Sequence, residues 1–319
     1  MTLPLAEGLL RGDVRAIARA ISLVEAEGAA GADLIRAVFR HSGRAYLVGV
    51  TGPPGAGKST LVDRLTTTIR QSGATVGIVA VDPTSPFTGG AVLGDRLRMQ
   101  THAADSGVFI RSMATRGHLG GLSRATADAA IILDAAGREI VLIETVGVGQ
   151  DEVDIVRTAD ISIVALVPGT GDEVQALKAG IMEIADIFVV NKADREDADR
   201  LVSAVEATLS LHTYGPDDWR PPIVKTVATT GVGIDALWAA VGQFRAHAQR
   251  LGTTRRRSRS EHRLKEVVGQ RFLEHLQRHV LTPAEWAKTV EALADRTLDP
   301  YTAADGLISR VAASWSESH

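Results

Sequence analysis

The sequence predicts an α/β fold in which a mostly parallel β-sheet carries helices on both faces, with helical extensions at both ends of the chain. Short aliphatic runs alternate with longer amphipathic stretches from residue 44 onwards. Continuous apolar strands that alternate with helices are typical of parallel sheets whose two faces are both covered. Glycine-rich or polar turns follow several of these runs. Because ligands of such sheets bind at the carboxyl ends of the strands, these turns are the candidate functional segments.

The composition is that of an ordinary globular protein, since 45% of the 319 residues are apolar and 23% are charged. With 35 basic and 38 acidic residues the formal net charge is −3, so no overall field attracts nucleic acid or an anionic membrane. The absence of cysteine excludes disulfides and thiolate metal sites. No run approaches the ~20 apolar residues that span a bilayer. We therefore expect a cytoplasmic protein.

Residues 1–43 are predicted to form an N-terminal helical extension, because small and aliphatic side chains recur there at helical spacing. Residues 44–250 are predicted to form the α/β domain. Each of its expected strands is a short aliphatic run: Tyr46–Val50, Val76–Val81, Val108–Ile110, Ile140–Ile143, Ile161–Val167, Ile187–Val190 and Ile223–Val224.

Residues 251–319 are predicted to form a C-terminal helical region. The arginine-rich segment 252–260 is interpreted as a linker, and the apolar residues after it recur on one side of a helix. Two further helix starts follow at Thr282-Pro283 and Asp299-Pro300, where a capping side chain precedes a first-turn proline.

A phosphate-binding loop follows the first strand. The segment fits the pattern G-x-x-x-x-G-K-[ST], in which glycines let backbone N–H groups surround phosphate oxygens at a helix N-terminus. We expect Lys58 to bridge the β- and γ-phosphates and Ser59 to hold Mg²⁺. The predicted contacts are Gly52, Pro53, Pro54, Gly55, Ala56, Gly57, Lys58, Ser59 and Thr60.

A second motif, Asn191-Lys192-Ala193-Asp194, follows the Ile187–Val190 strand. A carboxylate on Asp194 can accept hydrogen bonds from both N1–H and the 2-amino group of guanine, a pair of donors that adenine lacks. The Lys192 stem can cover the base, and Asn191 can tie the loops together. Farther along, Val227-Ala228-Thr229 could supply a backbone N–H to guanine O6. The two motifs together favour GTP over ATP as the ligand.

Three carboxylates are candidates for the magnesium and hydrolysis site. Glu144 begins Glu144-Thr145-Val146-Gly147, which has the layout of the D-x-x-G element with glutamate in place of aspartate. We expect Glu144 to hold Mg²⁺ through a water molecule and the Gly147 N–H to contact the γ-phosphate. Asp82 and Asp95 could complete the metal shell or orient the attacking water. The alternatives are an Asx-Pro turn for Asp82 and a solvated helix residue for Asp95.

Several long motifs resemble the MeaB/ArgK-type GTPases, a family that includes the human methylmalonic aciduria type A protein. The resemblance covers nearly the whole chain. The segments that carry it are Gly52–Thr60, Val81–Gly90, Leu93–Met99, Glu144–Glu152, Pro168–Glu173, Lys178–Asp186, Asn191–Asp194, Gly231–Trp238 and Asp299–Ala304.

The resemblance implies a chaperone that uses GTP to gate the delivery and protection of adenosylcobalamin in methylmalonyl-CoA mutase or a related acyl-CoA mutase. It also implies a homodimer that associates through the helices after about residue 255. By position, Lys58 and Ser59 bind phosphate and Mg²⁺, and the metal and hydrolysis site consists of Asp82, Asp95 and Glu144. Asn191 and Asp194 select guanine, and the loop 168–178 senses the mutase. Relatives often have Ser-Ala-Leu at residues 227–229, which weakens only the assignment of the O6-contacting loop. Basal hydrolysis should be slow, because no arginine finger is evident in the chain.

Three other functions remain as alternatives. A nickel metallochaperone would need soft or imidazole ligands. His275 and His279 lie four residues apart on a predicted helix and could share a metal ion, but a solvated helix face explains this spacing more simply. A kinase of a transport system would need a base for the acceptor hydroxyl, and the sequence suggests none. Nucleic-acid binding by the arginines of 255–259 is disfavoured because no aromatic residues are interleaved with them.

Overall fold

The fold is taken from a computed structural model of the chain. The structure describes residues 2–26, 28–82, 100–102, 104–114, 124–145, 155, 157–169, 181–252 and 254–317. At residues 82, 100, 114, 181, 254–256 and 313–317 it describes the backbone only.

A seven-stranded, all-parallel sheet forms the centre of the described structure and confirms the predicted fold class. Its spatial order is β3-β2-β4-β1-β5-β6-β7. The predicted runs all become strands: β1 (Tyr46–Thr51), β2 (Val76–Asp82), β3 (Val108–Ala114), β4 (Ile140–Glu144), β5 (Ile161–Leu166), β6 (Ile187–Asn191) and β7 (Ile223–Thr226).

Strand β1 lies in the middle of the sheet, between β4 and β5. The register pairs Val50 with Glu144 across β1 and β4, and Asn191 with Thr226 across β6 and β7. Parallel strands end at the same edge of a sheet. The register therefore brings the turns that carry the candidate site residues to one edge.

Helices cover both faces of the sheet. On one face, α4 (Lys58–Gln71) and α8 (Ile234–Arg250) pack their apolar sides against β1, β5 and β6. On the other face, α5 (Arg124–Ala135) packs against β2 and β4, and α7 (Ala198–Leu209) packs against β5 and β6. A short helix, α6 (Ile181–Ile184), precedes β6. This two-sided cover explains why the strands are almost continuously apolar.

The N-terminal helices are α1 (Thr2–Leu10), α2 (Val14–Glu25) and α3 (Ala29–Val38), followed by a 3₁₀ turn at Phe39–His41. Their buried side chains share one core with α5 and with β2 and β4. The carboxylate of Asp134, near the end of α5, accepts hydrogen bonds from the backbone N–H groups of residues 43–45, which lead into β1. These contacts fix the first three helices to the sheet that follows them.

The chain forms two compact units, residues 1–254 and 255–319. The second unit contains α9 (Thr254–His275) apart from its first residue, a π-helical turn (Leu276–Val280), α10 (Pro283–Ala294) and α11 (Pro300–Glu317). The predicted capping of α10 is confirmed, since Thr282 and Glu285 form a reciprocal capping box. Asp299 likewise accepts hydrogen bonds from the N–H groups of the first turn of α11.

The predicted linker over residues 252–260 is wrong, because α9 already begins at Thr254. Arginine is a good helix former, and an arginine-rich segment needs no apolar face to join a helix that is stabilised farther along. Among the described residues, no helix is both long and apolar enough to cross a membrane.

Candidate nucleotide-binding site

The phosphate loop lies between the end of β1 and the start of α4, and its glycines are required by geometry. Gly52 has φ +134°, and a Cβ atom there would lie 2.0 Å from the carbonyl oxygen of Ala165 in β5. Gly57 has φ +84°, and a Cβ atom there would lie 2.5 Å from Nδ2 of Asn191. The loop can therefore follow this path only with glycine at both positions.

Lys58, the first residue of α4, is 6% exposed and folds back over the loop. Its Nζ atom donates hydrogen bonds to the carbonyl oxygens of Gly52 at 2.7 Å and Pro53 at 3.1 Å. These contacts hold a cation within the turn whose N–H groups surround an anion in P-loop proteins. The positive end of the α4 dipole would further stabilise an anion bound in this turn.

Ser59 and Glu144 meet beside the loop. The Ser59 Oγ atom donates to Oε1 of Glu144 at 2.6 Å, and both residues are 5% exposed. A second contact ties the end of β1 to the residue after β4, since Thr145 Oγ1 donates to Thr51 Oγ1 at 2.8 Å. A hydroxyl and a carboxylate are hard oxygen donors of the kind that Mg²⁺ prefers, so this pair fits a magnesium ion.

Asn191, at the end of β6, connects the phosphate loop to the segment after β7. It is 2% exposed, and its Nδ2 atom donates to the carbonyl oxygen of Ala56 at 2.8 Å. Its Oδ1 atom accepts hydrogen bonds from Thr226 Oγ1 and from the Ala228 N–H, each at 3.1 Å. The structure therefore confirms the predicted tie between the loops.

Of the residues after Asn191, Lys192 contacts the phosphate loop and Asp194 lies at the surface. Lys192 has φ +56°, which is uncommon for a residue with a side chain, and its Nζ donates to the Gly55 carbonyl at 2.8 Å. Asp194 is exposed. Among the described residues, none donates a hydrogen bond to its carboxylate. The segment thus presents an available acceptor next to the loop that follows β1.

The segment Val227-Ala228-Thr229 follows β7 at the same edge. The Ala228 N–H is already bonded to Asn191, whereas no described residue accepts a hydrogen bond from the Thr229 N–H. On the other side of the segment, Arg64 of α4 donates to the carbonyl oxygens of Ala228 and Thr229. The sequence did not predict Arg64, because it stands in the middle of a helix and belongs to no motif.

Other predicted site residues lie outside the described parts of the chain. These are Asp95, Gly147 and most of the loop 168–178. Asp82 ends β2 as predicted, but its side chain is not described. Their roles stay predictions.

No grouping of three or more His, Cys, Asp or Glu side chains suited to a metal ion occurs within the described ranges. The rings of His275 and His279, the pair considered for nickel, pack against each other with centroids 5.1 Å apart and planes tilted by 40°. The structure thus adds no third ligand that would favour the metallochaperone alternative.

Comparison with known proteins identifies the family. A family model described as methylmalonyl-CoA mutase-associated GTPase MeaB matches residues 17–280. A putative GTPase of Pyrococcus abyssi is 48% identical over 311 residues, which cover 96% of each chain. The mouse mitochondrial methylmalonic aciduria type A homolog is 31% identical over 94% of this chain and 77% of its own. A crystal structure of an LAO/AO transport system kinase superposes with a TM-score of 0.73 at 27% identity, covering 97% of both chains. The chain is therefore a P-loop GTPase and belongs to the MeaB family.

Proposed function

We propose that this GTPase binds Mg²⁺ and GTP between the phosphate loop and the Asn191–Asp194 segment, and that the nucleotide gates adenosylcobalamin delivery to an acyl-CoA mutase. The observation that carries the nucleotide part is the hydrogen bond from Asn191 to Ala56. It joins the segment suited to a guanine base directly to the loop suited to phosphates. A single nucleotide can then contact both.

At the phosphate end, Lys58 is proposed to leave its backbone carbonyl partners and pair with the β- and γ-phosphates. Ser59 and Glu144 are proposed to hold Mg²⁺, with Glu144 acting through water. A bound Mg²⁺ ion supplies positive charge to the phosphate oxygens. Asp82 and Asp95 are proposed to orient water at this site, and the Gly147 N–H to contact the γ-phosphate.

At the base end, Asp194 is proposed to accept hydrogen bonds from N1–H and the 2-amino group of guanine. Its exposure and its lack of a donor among the described residues support this role. The Lys192 stem is proposed to cover the base, and the Thr229 N–H to donate to O6. Cellular nucleotides with an adenine base lack the matching donors and acceptor.

Thermal protection tests the choice of nucleotide. With Mg²⁺ present, GTP should raise the unfolding temperature of the full chain and ATP should not. Asp194→Ala should remove that preference, whereas the matched control Asp197→Ala, in the same exposed segment, should keep it. Equal protection of the unmodified chain by ATP would contradict the proposal.

Steady-state turnover tests the phosphate end. Lys58→Ala should fold, because the hydrogen bonds it loses at Gly52 and Pro53 lie in a turn at the end of β1 and not in the core, but it should lose GTP hydrolysis. Retained turnover would remove the phosphate loop from the reaction.

The mutase partner rests on the family description, which names an association with methylmalonyl-CoA mutase. The name of the mouse relative, a methylmalonic aciduria type A homolog, supports the same connection. Mixing the chain with an adenosylcobalamin-dependent mutase should yield a complex and raise GTP turnover. If neither occurs with methylmalonyl-CoA mutase or a related acyl-CoA mutase, the chaperone role is contradicted. A cytoplasmic location stays a prediction from the sequence.

A homodimer formed through the C-terminal helices is part of the proposal. Leu264 and Val268 lie one turn apart on α9 and are 63% and 57% exposed. Exposed apolar neighbours of this kind favour a protein contact. Sedimentation should give the mass of a dimer, and Leu264→Glu with Val268→Glu should give a monomer. If the unmodified chain sediments as a monomer, the proposed homodimer is contradicted.

The kinase alternative is kept because the solved relative carries that description. Transfer of the γ-phosphoryl group to a protein should leave label on the acceptor, whereas hydrolysis leaves it only in inorganic phosphate. The proposal predicts the second outcome.

A further inference from the structure

We infer that Arg64 is a positioning residue for guanine recognition, because it orients the peptide unit whose N–H faces the 6-position of the base. The inference rests on the proposed guanine site and extends it to a residue outside the nucleotide motifs. Arg64 lies in α4, nearly two turns after Lys58, and is half-buried. Its guanidinium spans the gap between the phosphate-loop helix and the segment after β7.

The contacts of Arg64 are directed at two successive carbonyl groups. Its Nε donates to the Ala228 oxygen at 3.1 Å, and its Nη2 donates to the Thr229 oxygen at 2.7 Å. A planar guanidinium has donors in a fixed fork, so two such bonds fix direction as well as distance. Lysine has no such fork.

The Ala228 carbonyl and the Thr229 N–H belong to the same peptide unit. A trans peptide is planar, and its C=O and N–H point in opposite directions. A guanidinium that holds the oxygen on the α4 side therefore turns the N–H to the opposite side. A charged donor on the oxygen also polarises the unit and makes its N–H a stronger donor.

Other hydrogen bonds hold the rest of the segment 227–229, whereas Arg64 binds the peptide unit between Ala228 and Thr229. The Ala228 N–H is bonded to Asn191, and the Val227 carbonyl accepts from the N–H groups of Thr230 and Gly231. Within the described residues, Arg64 is the side chain that bonds the Ala228 carbonyl. The same helix thus carries both Lys58, which is proposed to bind the phosphates, and Arg64, which orients the proposed donor to O6.

Binding constants of nucleoside diphosphates measure this role without turnover. GDP, 6-thio-GDP and IDP are compared on the full chain, because sulfur is a weak acceptor at position 6 and inosine lacks the 2-amino group. The unmodified chain should prefer GDP to 6-thio-GDP roughly tenfold, the worth of about one hydrogen bond. Arg64→Ala should reduce that ratio to about threefold or less and leave the GDP to IDP ratio unchanged.

The matched control is Thr68→Ala. Thr68 lies one turn farther along α4 and donates to Asp235 of α8 at 3.3 Å, without contacting the segment 227–229. Its ratios should equal those of the unmodified chain. Arg64→Lys keeps the positive charge but not the planar fork of donors. Its ratio of GDP affinity to 6-thio-GDP affinity should therefore fall between those of the unmodified chain and Arg64→Ala. This variant keeps the test decisive if Arg64→Ala does not fold.

Two results would overturn the inference. One is an unchanged ratio of GDP affinity to 6-thio-GDP affinity in the Arg64 variants. The other is an equal decrease of this ratio and of the GDP to IDP ratio, which would indicate a general loosening of the site. Failure of the proposed guanine site itself looks different. In that case the unmodified chain binds ADP as well as GDP, before any substitution is made.

Discussion

Asn191→Ala is the substitution that should most damage both the fold and the site. Asn191 is 2% exposed and makes three hydrogen bonds, to Ala56, Thr226 and Ala228. Alanine removes all three and leaves three polar groups that the buried side chain had satisfied. At ~1 kcal/mol for each lost bond, the free energy of unfolding should fall by about 3 kcal/mol. With an unfolding entropy of about 2.1 cal/mol/K per residue, this corresponds to a decrease in melting temperature of roughly 4–5 °C for a chain of 319 residues.

The assay is thermal unfolding without nucleotide or Mg²⁺, so that lost binding does not add to the result. Asp194→Ala is the matched control, because it alters an exposed side chain three residues away that forms no side-chain hydrogen bond within the described part of the chain. Its melting temperature should stay within about 2 °C of the unmodified chain. If Asn191→Ala also melts within this margin, the three contacts do not hold the loops together and the reasoning fails.

Two further predictions concern backbone geometry and pH. Gly52→Ala should destabilise the chain more than Gly55→Ala: both positions have positive φ, but only at Gly52 would the new Cβ meet a β5 carbonyl, at 2.0 Å; equal melting temperatures would contradict this. The N–H of Thr282 and the guanidinium of Arg310 lower the pKa of Glu285 from 4.5 to about 2, so its stabilising contribution is present above pH 4.5 and is lost as the pH falls towards 2. Circular dichroism of Glu285→Gln should show a smaller loss of stability than the unmodified chain across that range, and identical profiles would contradict the assignment.

The strands and the phosphate loop could be predicted from the sequence because their causes are local. A strand covered on both faces is a continuous apolar run, and seven such runs became the seven strands of the sheet. Gly52 and Gly57 are needed where the backbone passes close to β5 and to Asn191, and the motif records that need. The capping box at Thr282 is equally local.

The remaining features depend on contacts between distant parts of the chain. Arg64 acts on carbonyl groups that follow it by more than 160 residues, and no local pattern marks such a pair. The same holds for Asp134, which caps the entry to β1 from the end of α5. The start of α9 was missed for a different reason. An arginine-rich segment suggested a linker, although arginine favours helix and the segment continues into the amphipathic part of α9.

The central claim is that one nucleotide reaches from Lys58 to Asp194, and Asp194→Asn tests it most directly. Asparagine can accept from N1–H and donate to a 2-carbonyl group, as xanthine presents, but it cannot accept from two donors as guanine requires. The account predicts that the variant binds XDP more tightly than GDP, while Asp197→Asn keeps the preference for GDP. Continued preference for GDP in Asp194→Asn would show that this carboxylate does not read the base and would contradict the account.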